Sequence, residues 1–479
     1  MSSSAQQVRS TTAQRWVLAL TSVAALMVML DMLVVTTALS TIRVSLGASI
    51  EELEWTINAF TLSFAVLLMT AAALGDRFGR RRVLVAGLVV FMAASVACAL
   101  APSVGWLIAA RAAQGAGSAM VMPLAMALLG NAFPGERRAK ALGLFSGITG
   151  LATLGGPLVG GAVVQSLAWQ WIFWLNLPIG LIVVPLVLLR IEESKGTGGS
   201  LDLGGLALVS GAAFGLVWGL VRGNGAGWAS LEVTGSLAFG LVLAAAFVVW
   251  ELRVREPMLP MGFFRSRAFS AGNAAGFLLY GSIVGAAFFF AQFLQTGLGY
   301  SPLGTGLRLL PWTATLFVVA PLAGSWVNRV GERRLIVVGM SLQAVGFAWI
   351  ALIAAPDLSY VAMVPPLILA GCGVSMAMPA AQNSILGAVP RAAVGKASGT
   401  FNTLRQLGGT FGIAVLAAVF AAAGSYASPQ TFIDGFVSAT TIAAVMSLAA
   451  AVTGSLLPGR REPEAMVVPP PALQVQHGR

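Results

Sequence analysis

Long stretches of this 479-residue chain carry no charged residue, and the spacing of the charges constrains the fold more than any other feature. There are 21 uncharged residues between Glu54 and Asp76, 28 between Arg82 and Arg111, and 24 between Arg111 and Glu136. A helix needs about 20 apolar residues to cross the hydrocarbon core of a bilayer. Each of these intervals therefore fits one membrane crossing.

The same count, continued along the chain, predicts fourteen membrane-spanning helices. Between Lys140 and Arg190 lie 49 uncharged residues, enough for two crossings joined by a short turn. A transmembrane β-barrel would instead show segments of about ten residues that alternate apolar and polar, and the sequence has none. The predicted fold class is an all-α integral membrane protein, with spans at 16–42, 54–74, 83–101, 105–130, 139–165, 171–190, 201–221, 230–250, 268–296, 304–327, 335–354, 360–386, 394–423 and 433–457.

The composition excludes several classes of protein. Hydrophobic residues make up 57% of the chain and charged residues 9%, whereas a soluble domain carries roughly a quarter charged residues. Cys98 and Cys372 both lie in apolar runs, so they form no disulfide framework or thiolate cluster. The single histidine, His477, stands in a polar tail, so we expect no metal site and no cofactor. Gly395-Lys396 lacks the glycine spacing of a phosphate-binding loop, which argues against an ATPase.

The basic residues predict the orientation, because cytoplasmic loops are enriched in Lys and Arg. With the N-terminus inside, 23 of the 28 basic residues fall on the cytoplasmic side by our count. We therefore expect a multi-pass protein of the cytoplasmic membrane with both termini in the cytoplasm. The net charge of +11 then reflects topology, and the partner it indicates is the lipid bilayer rather than a nucleic acid.

The chain also contains an internal repeat. A shift of 252 residues aligns Arg77, Gly79, Arg81 and Arg82 with Arg329, Gly331, Arg333 and Arg334, and a shift of 256 aligns residues 115–123 with 371–379. Transporters are often built from such repeated halves. The predicted organisation is a cytoplasmic N-terminal tail (1–15), a six-helix bundle (16–190), a two-helix insert (191–255), a second six-helix bundle (256–457) and a disordered cytoplasmic tail (458–479).

Several motifs resemble those of the major facilitator superfamily, and within it the drug/proton antiporters with fourteen helices. The segment 75–81, Gly-Asp-Arg-Phe-Gly-Arg-Arg, resembles the superfamily's loop signature between its second and third helices. Residues 156–161 resemble the antiporter signature of the fifth helix, and Arg111 with Gln114 resembles the pattern of the fourth. Leu30-Asp31, residues 171–180 and residues 295–311 resemble stretches of the fourteen-helix group. Two departures, Ala152 and Gln170, lie outside the expected proton site.

Asp31 is the strongest candidate for a functional residue. A carboxylate in the middle of a membrane helix costs roughly 2.5–3.5 kcal/mol on insertion scales, so it is expected to face a cavity and to carry a proton. A purely structural ion pair is the alternative. Arg111 is expected either to pair with Asp31 or to line the proton path, and its alternative is to extend to the extracellular interface.

The resemblance implies two further functional elements. Gly75, Asp76, Arg77, Gly79, Arg80 and Arg81 are expected to form a cytoplasmic gate that latches the two halves, whereas the alternative is that the arginines only set the topology. Gly156, Pro157, Gly160 and Gly161 are expected to bend the antiporter helix or to pack it tightly and so prevent leak, although ordinary glycine packing is possible. Candidate substrate-binding residues are Asn58, Gln114, Gln292, Gln295, Asn402 and Arg405.

These features predict a proton-coupled secondary active exporter of amphipathic small molecules, such as drugs or antibiotics, rather than an enzyme. Its partners would be a small-molecule substrate and protons, and we expect it to act as a monomer. The alternative is a dedicated exporter of a single endogenous metabolite, antibiotic or lipid, as in self-resistance.

Overall fold

The computed structural model describes residues 2–133, 136–196, 201–389 and 393–459, and these residues form helices without strands. The first part of the chain contains α1 (Ser2–Leu46), α2 (Ile50–Phe78), α3 (Arg80–Ala99), α4 (Val104–Ala132), α5 (Glu136–Ser166), α6 (Trp171–Trp174) and α7 (Asn176–Arg190). Short turns connect them. The turn from α1 to α2 is fixed by Gly47, which has a positive φ, and by a capping box between Ser49 and Glu52.

The first helix is longer than the sequence predicts. It begins at Ser2 instead of near residue 16, so residues 2–15 are helical and continuous with α1. The physical reason is that neither proline nor glycine occurs between Ser2 and Leu46 to end the helix. The predicted disordered tail at 458–479 lies outside the described residues from position 460 onwards.

Two helices follow that match the predicted insert, α8 (Leu203–Ala226) and α9 (Leu231–Arg253). Asp202 caps α8, since its carboxylate accepts a hydrogen bond from Gly205 N, and Ser230 caps α9 in the same way. The two helices pack on each other, and α8 also packs against α2 and against a helix of the second bundle. Buried Val217 and Val221 of α8 lie in these contacts.

The second part of the chain begins with a 3-10 turn at Met261–Arg265, and a π-helical turn at Phe293–Gly297 extends its first helix. Its helices are α10 (Arg267–Gln292), α11 (Pro302–Arg308), α12 (Leu310–Thr313), α13 (Thr315–Val330), α14 (Glu332–Ile353), α15 (Tyr360–Leu386), α16 (Val394–Ala423) and α17 (Pro429–Ser455). Pairs and triplets such as α6 with α7 and α11 with α12 and α13 are single crossings with breaks.

The number and position of the helices confirm the predicted fold class. Thirteen helices in the described residues are long and apolar enough to span a membrane. Helix α5, which is bent by 45° between Gly147–Thr153 and Gly155–Ser166, gives the fourteenth when it is counted as one span. For most of the crossings, charge spacing therefore predicted both ends to within a few residues.

Glycines allow the closest helix crossings, and they occur at equivalent places in the repeat. A Cβ atom on Gly117 of α4 would lie 2.7 Å from Phe91 N and 2.9 Å from Gly87 O of α3. Gly339 and Gly373, the residues aligned with Gly87 and Gly117, bring α14 and α15 together in the same way. Small residues at such crossings let helix backbones approach in a membrane.

We expect Gly117→Ala to destabilise the protein, because the added methyl group would push α3 and α4 apart. Overpacking of this kind costs about 1–3 kcal/mol, so the thermal unfolding midpoint in detergent should fall by several degrees. Gly105→Ala, on the same helix, is the matched control, since no atom lies within 4 Å of its added Cβ. An equal loss in both variants would contradict this account of the crossing.

Candidate functional site

Asp31 lies in α1 at the centre of a buried polar network. Its side chain is 1% exposed, and both carboxylate oxygens accept hydrogen bonds. Arg111 Nη1 donates to Oδ2 at 2.6 Å, whereas Gln114 Nε2 and Asn176 Nδ2 donate to Oδ1 at 2.8 and 2.7 Å. Helices α1, α4 and α7 thus each contribute to one carboxylate.

Arg111 is fully buried and is held by more than its ion pair. Its Nε donates to the carbonyl oxygen of Thr56 at 3.2 Å, and its Nη1 also donates to Gln114 Oε1 at 2.6 Å. The guanidinium carbon lies 4.2 Å from the ring centroid of Phe60, in cation–π geometry. Arg111 therefore does not extend to the membrane interface, which was the alternative for this residue.

Ser95 and Asn176 complete the network, and neither was among the predicted site residues. Ser95 Oγ accepts from Gln114 Nε2 at 2.8 Å and from Asn176 Nδ2 at 3.2 Å. Asn176 begins α7 directly after the break at Leu175, which places its amide beside Asp31. Asn176 could have been found from the sequence, because it is the only amide side chain in the apolar stretch 171–180, which resembles the fourteen-helix group. No feature of the sequence distinguished Ser95.

These contacts meet the requirements of a buried ion pair. Removing two charges from water costs more free energy than their mutual attraction provides, unless further hydrogen bonds satisfy both groups. Here the carboxylate has three donors and the guanidinium has two further acceptors and an aromatic face. The pair is neutral as a whole, so a proton added to Asp31 would leave one net positive charge on Arg111.

The loop between α2 and α3 is held together by charge and by glycine. Asp76 pairs with Arg80 at 2.7 Å, and Gly79 adopts a φ of 115°, which favours glycine. Gly75 packs directly against Leu124 of α4. Arg77 lies at the surface, with its guanidinium over the ring of Phe78.

Glu193, which the sequence reasoning missed, is the main partner of this loop. Its carboxylate accepts from the backbone N–H groups of Arg81 at 2.9 Å and Arg82 at 3.2 Å, so it caps the N-terminus of α3. It also lies within 4.0 Å of both guanidinium groups. These contacts join α3 to the segment after α7, within the first part of the chain, and do not reach the second bundle.

The antiporter-like segment of α5 lies between α1 and α11. Its bend follows Thr153, whose carbonyl loses a helical partner because Pro157 has no N–H group. A Cβ on Gly156 would lie 2.5 Å from Leu33 Cβ, and one on Gly160 would contact Val34 and Thr37 of α1. On the other face, Gly161 contacts Pro302 and Leu303.

The six predicted substrate-binding residues do not share one hydrogen-bond network in the described part of the chain. Gln114 belongs to the Asp31 network. Gln295 Nε2 donates to Thr37 O at 3.0 Å and its Oε1 accepts from Ser40, while Gln292 bonds Tyr426 and Phe288 O. These glutamines thus join helices near the end of the molecule that carries the α1–α2 turn, which the predicted topology places outside.

The other three residues have fewer contacts. Asn58 is fully buried in α2, and neither of its amide atoms has a hydrogen-bond partner in the described structure. Asn402 donates to Ser398 O at 2.9 Å, and Arg405 stacks over Tyr280 at 4.5 Å from the ring centroid. Nε of Arg405 is buried without an acceptor among the described residues.

Comparison with known proteins relates this sequence to named transporters. Residues 21–413 match the model of the Major Facilitator Superfamily. The chain is 35% identical to the tetracenomycin C resistance and export protein of Streptomyces glaucescens, over 84% of this chain and 74% of that one. It is 36% identical to the cephamycin export protein CmcT of Amycolatopsis lactamdurans, over 92% of each chain.

Solved structures resemble the fold at much lower identity. A POT family transporter in complex with 5-aminolevulinic acid superimposes with a TM-score of 0.68 at 15% identity, covering 94% of this chain and 96% of the other. A D-xylose-proton symporter gives 0.66 at 14% identity, with 93% and 98% covered. Because the family model spans most of the sequence and the export proteins are similar over most of their length, this chain belongs to the Major Facilitator Superfamily.

Proposed function

We propose that this protein is a proton-coupled exporter of amphipathic small molecules, such as drugs or antibiotics, across the cytoplasmic membrane. The observation that carries the proposal is the carboxylate of Asp31, buried near the middle of the apolar segment Thr12–Leu46 and bound by Arg111, Gln114 and Asn176. Support for the cargo comes from relatives that are named export or multidrug resistance proteins. Support for coupling to the proton gradient comes from the same carboxylate, which Arg111 neutralises in this structure and which a proton would neutralise whenever that pairing is broken.

The contacts of Arg111 make proton binding at Asp31 feasible. A proton on the carboxylate breaks the charge pairing, yet the guanidinium keeps its hydrogen bonds to Thr56 O and Gln114 Oε1 and its contact with Phe60. The charge left behind is therefore still solvated by protein groups, which lowers the cost of losing the ion pair. A proton received from outside and released inside would drive the exchange.

The same helix links the proton site to the junction of the halves. Thr37 lies six residues after Asp31, about 9 Å along the helix axis, and its carbonyl oxygen accepts from Gln295 of the second bundle. Ser40 also bonds Gln295. A shift of α1 on protonation would therefore act on a contact between the bundles, as alternating access requires.

Other assignments are parts of the same proposal. Both termini lie in the cytoplasm, as the basic residues predict, and the protein acts as a monomer. The cluster of Asp76, Arg80 and Glu193 sets the shape of the cytoplasmic end of the first bundle, and through it the gate. Asn58, Asn402 and Arg405 bring polar groups to the substrate path.

A dedicated exporter of one endogenous compound is the second candidate. The observation in its favour is that two of the similar proteins are named after a single antibiotic, tetracenomycin C or cephamycin. Transport profiles separate the two candidates. Protection of cells against several unrelated amphiphiles supports a multidrug exporter, whereas protection against one compound class supports the dedicated exporter.

We expect Asp31→Asn to abolish substrate-driven proton flux in proteoliposomes, because an amide cannot carry the proton. The measurement is the internal pH change on adding substrate, together with substrate uptake under an imposed pH gradient. Asp434→Asn is the matched control, since Asp434 lies exposed on α17. Uphill transport by Asp31→Asn at the rate of the unmodified protein would refute the proposed role of Asp31.

A stability cycle separates a proton carrier from a purely structural pair. Arg111→Gln leaves a buried carboxylate without its cation, so it should lose about 3–5 kcal/mol of stability. The double variant Asp31→Asn with Arg111→Gln should regain most of that loss, as measured by thermal unfolding in detergent, yet remain without proton-coupled transport. Normal coupling in the double variant would mean that the pair is only structural.

Glu193→Ala should destabilise the end of α3, because it removes the carboxylate that caps two backbone N–H groups and neighbours two arginines. Loss of a helix cap typically costs about 1 kcal/mol. Limited proteolysis of the loop between α2 and α3 and the unfolding midpoint are the measurements. Glu192→Ala is the control, since Glu192 is exposed; equal effects of the two substitutions would contradict the capping role.

A further inference from the structure

Two acidic residues, Asp202 and Glu251, lie at the end of the insert where the chain enters and leaves it. Asp202 caps the start of α8, and Glu251 lies in the last turn of α9. Glu251 is 3% exposed, and a carboxylate is almost never buried so completely unless it is paired. Neither residue forms an ion pair with a described Lys or Arg. The insert thus buries an acid that no described cation contacts.

One oxygen of each carboxyl group is bonded to N–H groups. Asp202 Oδ1 accepts from Gly205 N at 2.7 Å and from Trp250 Nε1 at 2.8 Å. Glu251 Oε2 accepts from Leu259 N at 3.0 Å. These bonds fix both side chains. Through the bond to Leu259, Glu251 also joins α9 to the segment 254–260, which leads towards α10.

The other two oxygens, Asp202 Oδ2 and Glu251 Oε1, lie next to each other. Both are buried, and neither has a hydrogen-bond partner in the described part of the chain. A Cβ atom on Gly205 would come closer than 3.0 Å to each of them, and the two side chains are within hydrogen-bonding reach. Glycine at position 205 leaves the space that the two oxygens occupy. Each oxygen therefore lacks a donor while its nearest polar neighbour is another acceptor.

The surrounding charges do not neutralise this pair. Lys396 of α16 acts electrostatically on Glu251, but Lys396 is exposed and forms no ion pair with it. Arg253, Arg255 and Glu256, which follow on the chain, are exposed as well. Two carboxylates in contact cannot both be ionised without strong repulsion. One proton would remove both difficulties, because it cancels one charge and supplies the missing donor.

We propose that Asp202 and Glu251 form a proton-binding site, which holds one proton between Oδ2 and Oε1. The O–H group of one carboxyl then donates to the carboxylate of the other, so that every oxygen of the pair has a partner. The proton comes from water at the end of the insert where α8 begins. This site shares no residue with the Asp31 network, and it does not depend on the proposed export.

The bound proton fastens three parts of the chain to one another. The start of α8 is held through Asp202, the end of α9 through Glu251, and the following segment through Leu259 N. That segment also contacts the first bundle, since Thr70 Oγ1 donates to Met258 Sδ at 3.8 Å. Loss of the proton leaves two negative charges in contact, which separates the pair and frees the Leu259 amide. The junction is therefore stabilised at low pH, and this stabilisation is lost as the pH rises.

The experiment is hydrogen exchange of the Leu259 backbone amide, measured by mass spectrometry on the full chain in lipid nanodiscs. Glu251→Gln is the main variant, because its amide donates to Asp202 Oδ2 at every pH while its carbonyl oxygen still accepts from Leu259 N. The unmodified protein and the variant are compared at the same pH, which cancels the pH dependence of the exchange chemistry. We expect equal rates at about pH 6 and exchange about fivefold faster in the unmodified protein at about pH 9.

Two further variants separate a shared proton from simple relief of repulsion. Asp202→Asn should protect Leu259 as Glu251→Gln does, since its amide donates to Glu251 Oε1. The double variant places two NH₂ groups against each other, so it should lose protection at both pH values. Were repulsion the only effect, the double variant would be protected at least as well as either single variant. Lys396→Gln is the control for the neighbouring cation and should leave the protection at low pH unchanged.

Three outcomes would overturn the proposal. Equal rates in the unmodified protein and in Glu251→Gln at both pH values would mean that no proton enters or leaves the pair. Full protection in the double variant would mean that the two acids only repel each other. Loss of protection at low pH in Lys396→Gln, or on removal of sodium and divalent cations, would mean that a lysine or a metal ion neutralises the pair. None of these results bears on export, which the Asp31 variants test separately.

Discussion

The buried ion pair of Asp31 and Arg111 is the interaction on which the arrangement of the first bundle depends. Two charges that far from water are tolerated only when nearly every hydrogen-bonding position is filled. The partners come from α2, α3, α4 and α7, through Thr56, Ser95, Gln114 and Asn176. Five helices, with α1, must therefore keep their relative positions for one carboxylate to stay satisfied. A change at that carboxylate consequently acts on the whole bundle.

The second bundle contains an uncharged counterpart of this network. Gln343 of α14 donates to Ser282 of α10 at 2.7 Å and to Ser447 of α17 at 3.1 Å. In the repeat, these helices correspond to α3, α1 and the span formed by α6 and α7, which carry Ser95, Asp31 and Asn176. Both halves thus place a polar junction between the same three spans. Among the described residues of these two junctions, only the first has ionisable groups, Asp31 and Arg111, whereas the second is uncharged.

How much of this could be predicted from the sequence depends on the range of the interaction. The helix positions follow from charge spacing, because the free energy of hydrating a charge and the thickness of a bilayer do not depend on the rest of the fold. Asp31 stood out for the same reason, because a carboxylate is rare in such a segment. Its partner Arg111 is 80 residues away, and no spacing rule joins them; Glu193 lies over 110 residues after the loop it caps. The polar residues proposed for substrate binding were chosen by residue type alone, and they share no hydrogen-bond network in the described structure.

The position of α5 explains how a local change at Asp31 could reach the junction of the bundles. Directly after Asp31, the side of α1 that carries Leu33 and Val34 packs on Gly156 and Gly160, where α5 contributes no side chain and Leu33 Cβ and Thr37 Oγ1 of α1 lie directly against it. The opposite side of α5 packs on α11, with Gly161 against Pro302. Since tightly packed helices shift together rather than deform continuously, displacement of α1 would move α5 against the second bundle. A larger residue at these glycines would force α1, α5 and α11 apart, because an added Cβ would meet atoms of the neighbouring helices at 2.3–2.5 Å.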